Sequence, residues 1–380
     1  MWRNISVVFV TFLRLGLTSF GGPTAHIAAF SQTFVDRLHW LTPSEFAHDS
    51  TLCQLVPGPA SSQLGMLIGA RRAGIPGSIA AFIGFTLPSA LLLYGAGSGN
   101  LWMLSQQGLL VGLLCGAALV VCSAVWQLAK PMHSNYTALC FAATACVTML
   151  CWATPLTQII ILVGSAAVAS FLPVFDKTIT PIPSLSVSTR LGTFLLITFC
   201  LLLGATWAFP TVNGILYQSG ALVFGGGHVV LPMLTERFAQ SGFLPTQTIT
   251  QGYALAQLVP GPLFTLAAFI GTVSDHGSHW GALLGTLAIF LPGWLLILGI
   301  QPWWSNISTH PRIGRAVQGT HAAVVGILAA SAIELALSQW FGSLTTVAIA
   351  LVGSIIILRN LLPAWTVPVL CALLGWIFIR

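Results

Sequence analysis

Two Pro-Gly-Pro turns interrupt long apolar stretches, at Pro57-Gly58-Pro59 and at Pro260-Gly261-Pro262. Proline removes a backbone donor and ends a helix, and glycine lets the chain turn sharply. Inside a membrane, such a break is tolerated where protein or a cavity satisfies the freed backbone groups. A helix that begins after each turn presents free N–H groups, which bind anions together with the helix dipole. The turns therefore predict an anion site; the alternative is a kinked helix that only packs against its neighbours.

Polar side chains flank both turns and are candidates for contacting a bound anion. A glutamine precedes each turn at the same spacing, and hydroxyl or amide side chains follow each turn. These groups could bind the substrate or only brace the break. The candidates are Gln54, Ser61, Ser62 and Gln63 around the first turn, and Gln257 and Thr265 around the second.

A glycine-rich break precedes each Pro-Gly-Pro turn and ends an apolar segment. It offers bare backbone amides that could cradle an anion, although small residues also allow helices to pack closely. The candidates are Gly21, Gly22 and Thr24 in the first break, and Gly225, Gly226, Gly227 and His228 in the second.

Three ionisable side chains lie near these breaks. Arg14 lies inside the first apolar segment, where a cation faces a cavity or partner, or reaches the membrane interface. His26 and His228 follow the two glycine breaks, and a histidine there could donate to an oxyanion or carry a coupled proton. Each could equally be a satisfied histidine at a helix end.

Other chemistry finds little support in the sequence. Only four Asp and three Glu are present, and we find no zinc-protease, dinucleotide-binding or Walker lysine motif. The eight cysteines occur in apolar segments, where cysteine behaves as a small hydrophobic residue. We therefore expect no enzyme, no cofactor, no metal and no ATP-driven pumping by this chain alone.

The composition indicates that the helices carrying these residues lie in a membrane. Of the 380 residues, 56% are apolar and 5% are charged, against about 25% charged in a soluble domain. The net charge of +6 is scattered, which excludes nucleic acid as a partner. Residues 73–129, 131–175 and 191–235 lack Asp, Glu, Lys and Arg, and about 20 apolar residues cross a bilayer. The sequence thus predicts an all-α polytopic membrane protein whose partner is the lipid bilayer.

The apolar segments divide into full spans and broken regions. Residues 21–72 and 213–273 are cut by Gly and Pro into pieces too short to cross, and we expect re-entrant or broken helices there. The predicted full spans are 4–20, 74–95, 108–128, 134–153, 155–175, 191–210, 278–300, 313–338, 343–358 and 361–379.

An internal repeat relates the two ends of the chain. Phe20-Gly21-Gly22 recurs 204 positions later, and Gln54 to Pro59 recurs 203 positions later. Leu87-Pro88 also recurs after 204 positions. We predict two homologous halves, with an N-terminal repeat over 1–175, a linker over 176–190 and a C-terminal repeat over 191–380.

The basic residues predict that the halves insert in opposite orientations. The basic residues of the first half lie in connections separated by even numbers of spans, so these connections share one side of the membrane. The basic residues of the second half lie in the alternate connections. Inverted repeats are a transporter architecture. The residues concerned are Arg71, Arg72, Lys130 and Lys177 in the first set, and Arg312, Arg315 and Arg359 in the second.

Taken together, the motifs resemble those of the chromate ion transporter family, in its long-chain, two-domain form. The matching stretches cover nearly the whole chain. They are Phe20 to Ile27, Trp40-Leu41, Pro57 to Gln63, Phe224 to Pro232, Pro260 to Pro262 and Ala322 to Gly326.

The resemblance implies export of chromate from the bacterial cytoplasm through a multi-pass protein of the inner membrane, with sulfate as the look-alike anion. The chain could assemble as a homodimer. Two alternatives stay open. The chain could carry sulfate, another anion or a neutral solute, or it could be an intramembrane enzyme or a non-transporting subunit. The paired breaks in a repeat favour transport.

Overall fold

The computed structural model describes residues 2–19, 22–99, 107–133, 135–152, 154–173, 185, 187–223, 230–308, 310–359, 361–362 and 366–379. Over these ranges the secondary structure is helical, without a strand, as the sequence predicts. The helices are α1 Trp2–Thr18, α2 Gly22–Ser31, a π-helix Gln32–Arg37, α3 Pro43–Leu55, α4 Ala60–Ser98, α5 Gln107–Ala129, α6 Tyr136–Cys151, α7 Pro155–Ser170, α8 Thr189–Ala208, α9 Val212–Leu222, α10 Val230–Ser241, α11 Thr246–Leu258, α12 Leu266–Ser274, α13 His279–Gly299, α14 Gln301–Ser308, α15 Pro311–Trp340, α16 Leu344–Leu358 and α17 Thr366–Phe378.

The predicted full spans coincide with helices. Among the described residues, α4, α8, α13 and most of α15 are long and apolar enough to cross a membrane. Shorter apolar helices occur in α5, α6, α7, α16 and α17. Large apolar side chains such as Leu91, Phe194 and Leu351 are exposed on the outer surface, as expected for residues that face lipid.

The two regions predicted to be broken consist of short helices. Residues 21–72 contain α2, the π-helix, α3 and the first part of α4, and residues 213–273 contain most of α9 together with α10, α11 and α12. Helix α4 is itself interrupted at Ala73 and Gly74, where Gly74 has φ of +66°. We call the parts α4a (60–72) and α4b (75–98). The break gives α4b the same start as the predicted span 74–95.

Local sequence signals explain where these short helices begin. At the start of α3, the Thr42 side chain accepts from the Glu45 N–H, and the Glu45 carboxylate accepts from the Thr42 N–H. Pro43 occupies the first turn, where a missing N–H costs nothing. A similar box of Ser343 and Thr346 opens α16.

The repeat is visible in the packing of equivalent helices. Gly16 of α1 packs against the Phe85 carbonyl, and Gly220 of α9 packs against the Ile289 carbonyl. The two glycines are 204 positions apart, and so are the two carbonyls. Helix α8 lies between the equivalent elements and has no counterpart in the first half.

The halves interdigitate in their C-terminal parts. Helix α5 packs against α16 and α17 of the second half, and α15 packs against α6 and α7 of the first half. Helices α5 and α15, which are equivalent in the repeat, also pack against each other. Each half therefore depends on the other to cover its central helix.

The equivalent helices α5 and α15 run antiparallel. The Trp340 indole near the end of α15 donates to the Cys115 carbonyl in the first half of α5, at 3.3 Å. Leu128 near the end of α5 shares a hydrophobic cluster with Ala322 and Val325, which lie early in α15. Antiparallel pairing of equivalent helices is what opposite insertion of the halves produces, and it supports the predicted inverted repeat.

The connections between α4a and α4b, and between α12 and α13, occupy the same place in the two halves. The first adjoins the start of α4b. The second lies beside the other end of that helix, because a Cβ added at Gly277 would be 3.8 Å from the Ser98 Cα. A helix of this length spans about 35 Å, so the two connections lie on opposite sides of the molecule.

Of the predicted linker 176–190, residues 176–184 and 186 lie outside the described residues, and the domain boundaries stay a prediction.

Cysteine labelling tests the orientation. In a background without the eight native cysteines, we expect Ala73→Cys to react with an impermeant maleimide from the cytoplasmic side, because the adjacent arginines hold that connection inside. Asp275→Cys should react from the outside. Reaction of both variants from the same side would contradict the inverted repeat.

Candidate functional site

The two Pro-Gly-Pro turns contact the opposite half at equivalent places. The Gly58 N–H donates to the Val223 carbonyl at 2.8 Å, and the Gly261 N–H donates to the Ser19 carbonyl at 2.8 Å. Val223 and Ser19 immediately precede the two glycine-rich breaks, 204 positions apart. Each turn is therefore tied to the residue that precedes the glycine-rich break of the other half.

The turns also pack against the long helices of the opposite half. Gly58 has φ of +133° and Gly261 has φ of +106°, values that favour glycine. An added Cβ would meet the Gly293 Cα at 3.0 Å in the first case and the Ser89 Oγ at 2.9 Å in the second. Gly293 and Ser89 are again equivalent positions in α13 and α4b. Both turns thus need glycine for their conformation and for the approach of a helix.

Gln63 braces the first turn. Its Nε2 donates to the Pro57 carbonyl at 2.9 Å and to the Gly293 carbonyl at 3.2 Å. The side chain therefore holds α4a to its own turn and to the second half. Its Oε1 is buried and has no hydrogen-bond partner among the described residues.

The start of α4a forms a buried polar cluster with His26 from α2. The His26 Nδ1 lies 3.3 Å from the Ser61 Oγ, and the Phe85 ring packs edge-on against the imidazole with centroids 5.1 Å apart. The His26 Nε2, the Ser62 Oγ and the Gln63 Oε1 are buried and make no hydrogen bond within 3.5 Å among the described residues, although the imidazole also interacts with the Ser19 backbone. Buried polar atoms almost always have partners, so unpaired ones at a helix N-terminus are candidate contacts for a small polar ligand.

The equivalent part of the second half is less open to a ligand. The Thr265 hydroxyl donates to the Pro262 carbonyl at 2.6 Å and so closes its own turn. Gln257 is hydrogen-bonded with Tyr253, although its Nε2 is buried without a partner among the described residues. Gln54, before the first turn, donates to the Ser50 hydroxyl at 3.2 Å. Thr265 thus makes a contact that braces its turn, whereas the contact of Gln54 lies within α3, and the binding roles of both residues stay predictions.

The other predicted residues are placed apart from this cluster or lie outside the described residues. Arg14 is exposed and lines a separate cavity between α1 and the segment of α2 and the π-helix. Gly22 begins α2 with φ of +78°. The residues or side chains that the structure does not describe are Gly21, Thr24, Gly225, Gly226, Gly227 and His228.

A family model described as chromate transporter matches residues 6–171 and 211–376. The chain belongs to the chromate transporter family. The two matched regions are the two repeats, and α8 falls between them.

Relatives cover most of this transporter. A "Probable chromate transport protein" of Synechococcus elongatus is 26% identical over 97% of this chain and 94% of its own length. A "Chromate transport protein" of Pseudomonas aeruginosa is 26% identical over 87% of this chain and 80% of its own. An uncharacterized transporter of Methanocaldococcus jannaschii is 24% identical over 87% of this chain and 84% of its own. No solved structure matches.

A buried ion pair in this transporter was missed by the sequence analysis. Arg71 of α4a donates from Nε to the Asp49 Oδ2 at 2.6 Å and from Nη2 to the Asp49 Oδ1 at 2.8 Å. The Asp49 side chain is 1% exposed. Since α3 and α4a are the arms on either side of the first turn, the pair clamps them together. A carboxylate and a basic residue flanking the turn within apolar segments were the available signal.

A contact between the halves extends the ion pair. The His48 Nδ1 lies 3.4 Å from the Asp49 Oδ1, and the Trp304 indole donates to the His48 Nε2 at 3.1 Å. Trp304 belongs to α14 of the second half. Metal binding is a separate matter: within the described residues, no group of three or more His, Cys, Asp or Glu side chains is placed to hold a metal.

Alanine substitutions test the role of the turn glycines. Gly242→Ala occurs at φ of +70° in open space and should cost about 1–2 kcal/mol through backbone strain alone. Gly58→Ala and Gly261→Ala should cost about 1–3 kcal/mol more, because the methyl group also displaces a packed neighbour. Thermal unfolding of the purified protein in detergent measures these differences.

The control for the glycine series is Gly95→Ala, a helical position with nothing within 4 Å. It should be neutral or stabilise by up to about 1 kcal/mol. If Gly58→Ala and Gly261→Ala lower the Tm no more than Gly242→Ala, the turns do not need the close approach of the opposite half.

Removing one member of the ion pair tests the clamp. Asp49→Asn leaves the Arg71 guanidinium without its carboxylate and should cost about 3 kcal/mol. The double variant Asp49→Asn with Arg71→Gln should recover part of this loss, because no charge then remains buried. Arg72→Gln, which only removes an exposed cation stacked on Trp40, should cost less than about 1 kcal/mol. Equal losses for Asp49→Asn and Arg72→Gln would show that the ion pair does not hold the hairpin.

Proposed function

We propose that this protein is a secondary transporter that exports chromate, a tetrahedral dianion, across the bacterial inner membrane. The anion is held at the helix breaks around the two Pro-Gly-Pro and the two glycine-rich motifs. The observation that carries the proposal is the cluster of unpartnered buried polar atoms on His26, Ser62 and Gln63 at the start of α4a. A tetrahedral oxyanion supplies several acceptors at once.

The chemistry of the cluster suits a ligand that must also leave. The free N–H groups at the start of α4a and the hydroxyls of Ser61 and Ser62 are neutral donors, and the helix dipole favours negative charge. No arginine or lysine of the described residues hydrogen-bonds within the cluster. A dianion held by neutral donors can be released more readily than one held by several fixed cations.

Sulfate has the same shape and charge, so it is the expected competitor, and a carrier for sulfate or another anion is the second candidate. The paired breaks and their crosswise contacts favour a carrier over a non-transporting membrane subunit. The predicted homodimer has no part in this site and stays a prediction.

Substitution of both hydroxyls tests the site. In Ser61→Ala with Ser62→Ala, the backbone donors remain and only the hydroxyls are lost. Loss of one hydrogen bond to a charged ligand costs about 1.5–3 kcal/mol, so the apparent affinity should fall by roughly tenfold or more. Initial uptake of labelled chromate into everted vesicles, with and without sulfate, measures this, since everted vesicles report export from the cytoplasm.

Ser331→Ala is the matched control. Ser331 is also buried in a helix, where its hydroxyl donates to the Ile327 carbonyl at 3.2 Å, and its loss should leave uptake unchanged. Unchanged affinity in the double variant would remove the hydroxyls from the site and leave the backbone amides as its only donors. Absence of chromate uptake by the unmodified protein, with uptake of sulfate, would favour the second candidate.

A further inference from the structure

A polar cavity of about 590 Å³ separates α1 from α2 and the π-helix, apart from the cluster at the start of α4a. Its walls carry two cations, Arg14 from α1 and Arg37 from the π-helix. Hydroxyl and amide side chains line the rest of its polar surface, including Thr18, Gln32 and Thr33. A cavity with two guanidinium groups and no carboxylate on its walls is suited to an anion.

Neither arginine is neutralised within the described part of the chain. The ion pairs there are those of Asp49 with Arg71 and His48, and no carboxylate lies within 4.0 Å of Arg14 or Arg37. Asp36, next to Arg37 in sequence, is exposed and is not among the cavity residues. Two like charges that share a cavity repel each other, and a bound anion relieves that repulsion.

The π-helix carries three of the residues that line the cavity, Gln32, Thr33 and Arg37. In a π-helix, residues five apart lie on nearly the same side, so Gln32 and Arg37 both face α1, whereas α-helical geometry would separate them. Phe34 holds this segment in place, because its ring stacks on Phe12 of α1 with centroids 5.0 Å apart and contacts Trp40 at 5.0 Å. π-helical turns are rare and are frequently found at functional sites.

The cavity reaches the backbone of the helix breaks. Ser19 lines it, and the Ser19 carbonyl is the acceptor for the Gly261 N–H in the second Pro-Gly-Pro turn. Ser19 also immediately precedes the first glycine-rich break. An anion between the two arginines would therefore lie next to the region where the turns and breaks of both halves meet.

We propose that Arg14 and Arg37 form an outer binding site for a tetrahedral oxyanion, which collects the anion before it moves to the inner cluster of His26, Ser61 and Ser62. The transfer step rests on the proposed transport function; the binding itself does not. Guanidinium groups bind tetrahedral oxyanions in bidentate fashion. Both side chains are exposed, so the anion keeps part of its hydration and can leave.

Chemical modification tests the binding without reference to transport. The purified protein in nanodiscs of phosphatidylcholine alone is treated with phenylglyoxal, and modification of each arginine is followed by mass spectrometry. At a chromate or sulfate concentration tenfold above the dissociation constant, modification of Arg14 and Arg37 should slow by roughly tenfold. Arg3, on the same helix but outside the cavity, should react at an unchanged rate, with chloride keeping the ionic strength constant.

A second arm separates a free anion from a lipid phosphate, which has the same chemistry. The experiment is repeated in nanodiscs that contain phosphatidylglycerol and no chromate or sulfate. Protection by chromate or sulfate in phosphatidylcholine supports the proposal. Protection by phosphatidylglycerol alone, with no effect of the inorganic anions, overturns it, because the arginines would then bind headgroups.

Variants connect the site to transport. Arg14→Gln and Arg37→Gln should each lower the initial rate at subsaturating chromate by roughly fivefold to tenfold at low ionic strength, and less at high salt, where attraction is screened. Arg14→Lys and Arg37→Lys keep the charge and should retain most of the rate, and Arg3→Gln is the matched control. Protection without any chromate transport would overturn the proposed function and leave the outer site standing. Transport without protection, and without loss in the Gln variants, would overturn the outer site.

Discussion

Backbone groups freed by a broken helix in an apolar environment need a partner inside the protein, and the centre of this molecule is arranged around that requirement. Gly58 and Gly261 meet it crosswise, because the N–H of each turn glycine donates to the carbonyl that precedes the glycine-rich break of the opposite half. A turn whose glycine N–H is satisfied by the other half ties the two repeats together. The same contact places the N-terminus of α4a beside the interface of the halves.

The repeat is symmetric in its backbone and asymmetric in its polar side chains. Gly16 and Gly220, and likewise Ser89 and Gly293, occupy equivalent packing positions. Among the described residues, by contrast, the unengaged hydroxyls and the buried imidazole beside a turn come from the first half, since Thr265 of the second half is engaged by its own turn.

Two pairs of charged residues lie in environments with different consequences. Asp49 and Arg71 neutralise each other in the hairpin, so their bidentate contact contributes rigidity and little net field. Arg14 and Arg37 remain uncompensated within the described residues and create a positive cavity beside the breaks. In the proposed transport function, the positive cavity would attract the anion and the neutral donors of the inner cluster would hold it less tightly.

The sequence by itself determined the helical membrane class, the positions of the spans and the repeat. Apolar length, Gly and Pro breaks and recurring motifs are local properties of the chain, and they predicted α5 and α13 to within a residue or two. It also identified both turns and the residues beside them, because the chemistry of a helix break is visible in its residue types. The roles of these residues in binding stay predictions.

Only the tertiary structure decided which of these residues lie together. It brought His26 to Ser61 across 35 positions of sequence and Gln63 to Gly293 across 230 positions, and it placed Arg14 in a separate cavity with Arg37. It also paired Asp49 with Arg71 and set α5 antiparallel to α15. Long-range contacts of this kind depend on how helices from the two halves pack, and neither residue type nor spacing along one segment contains that information.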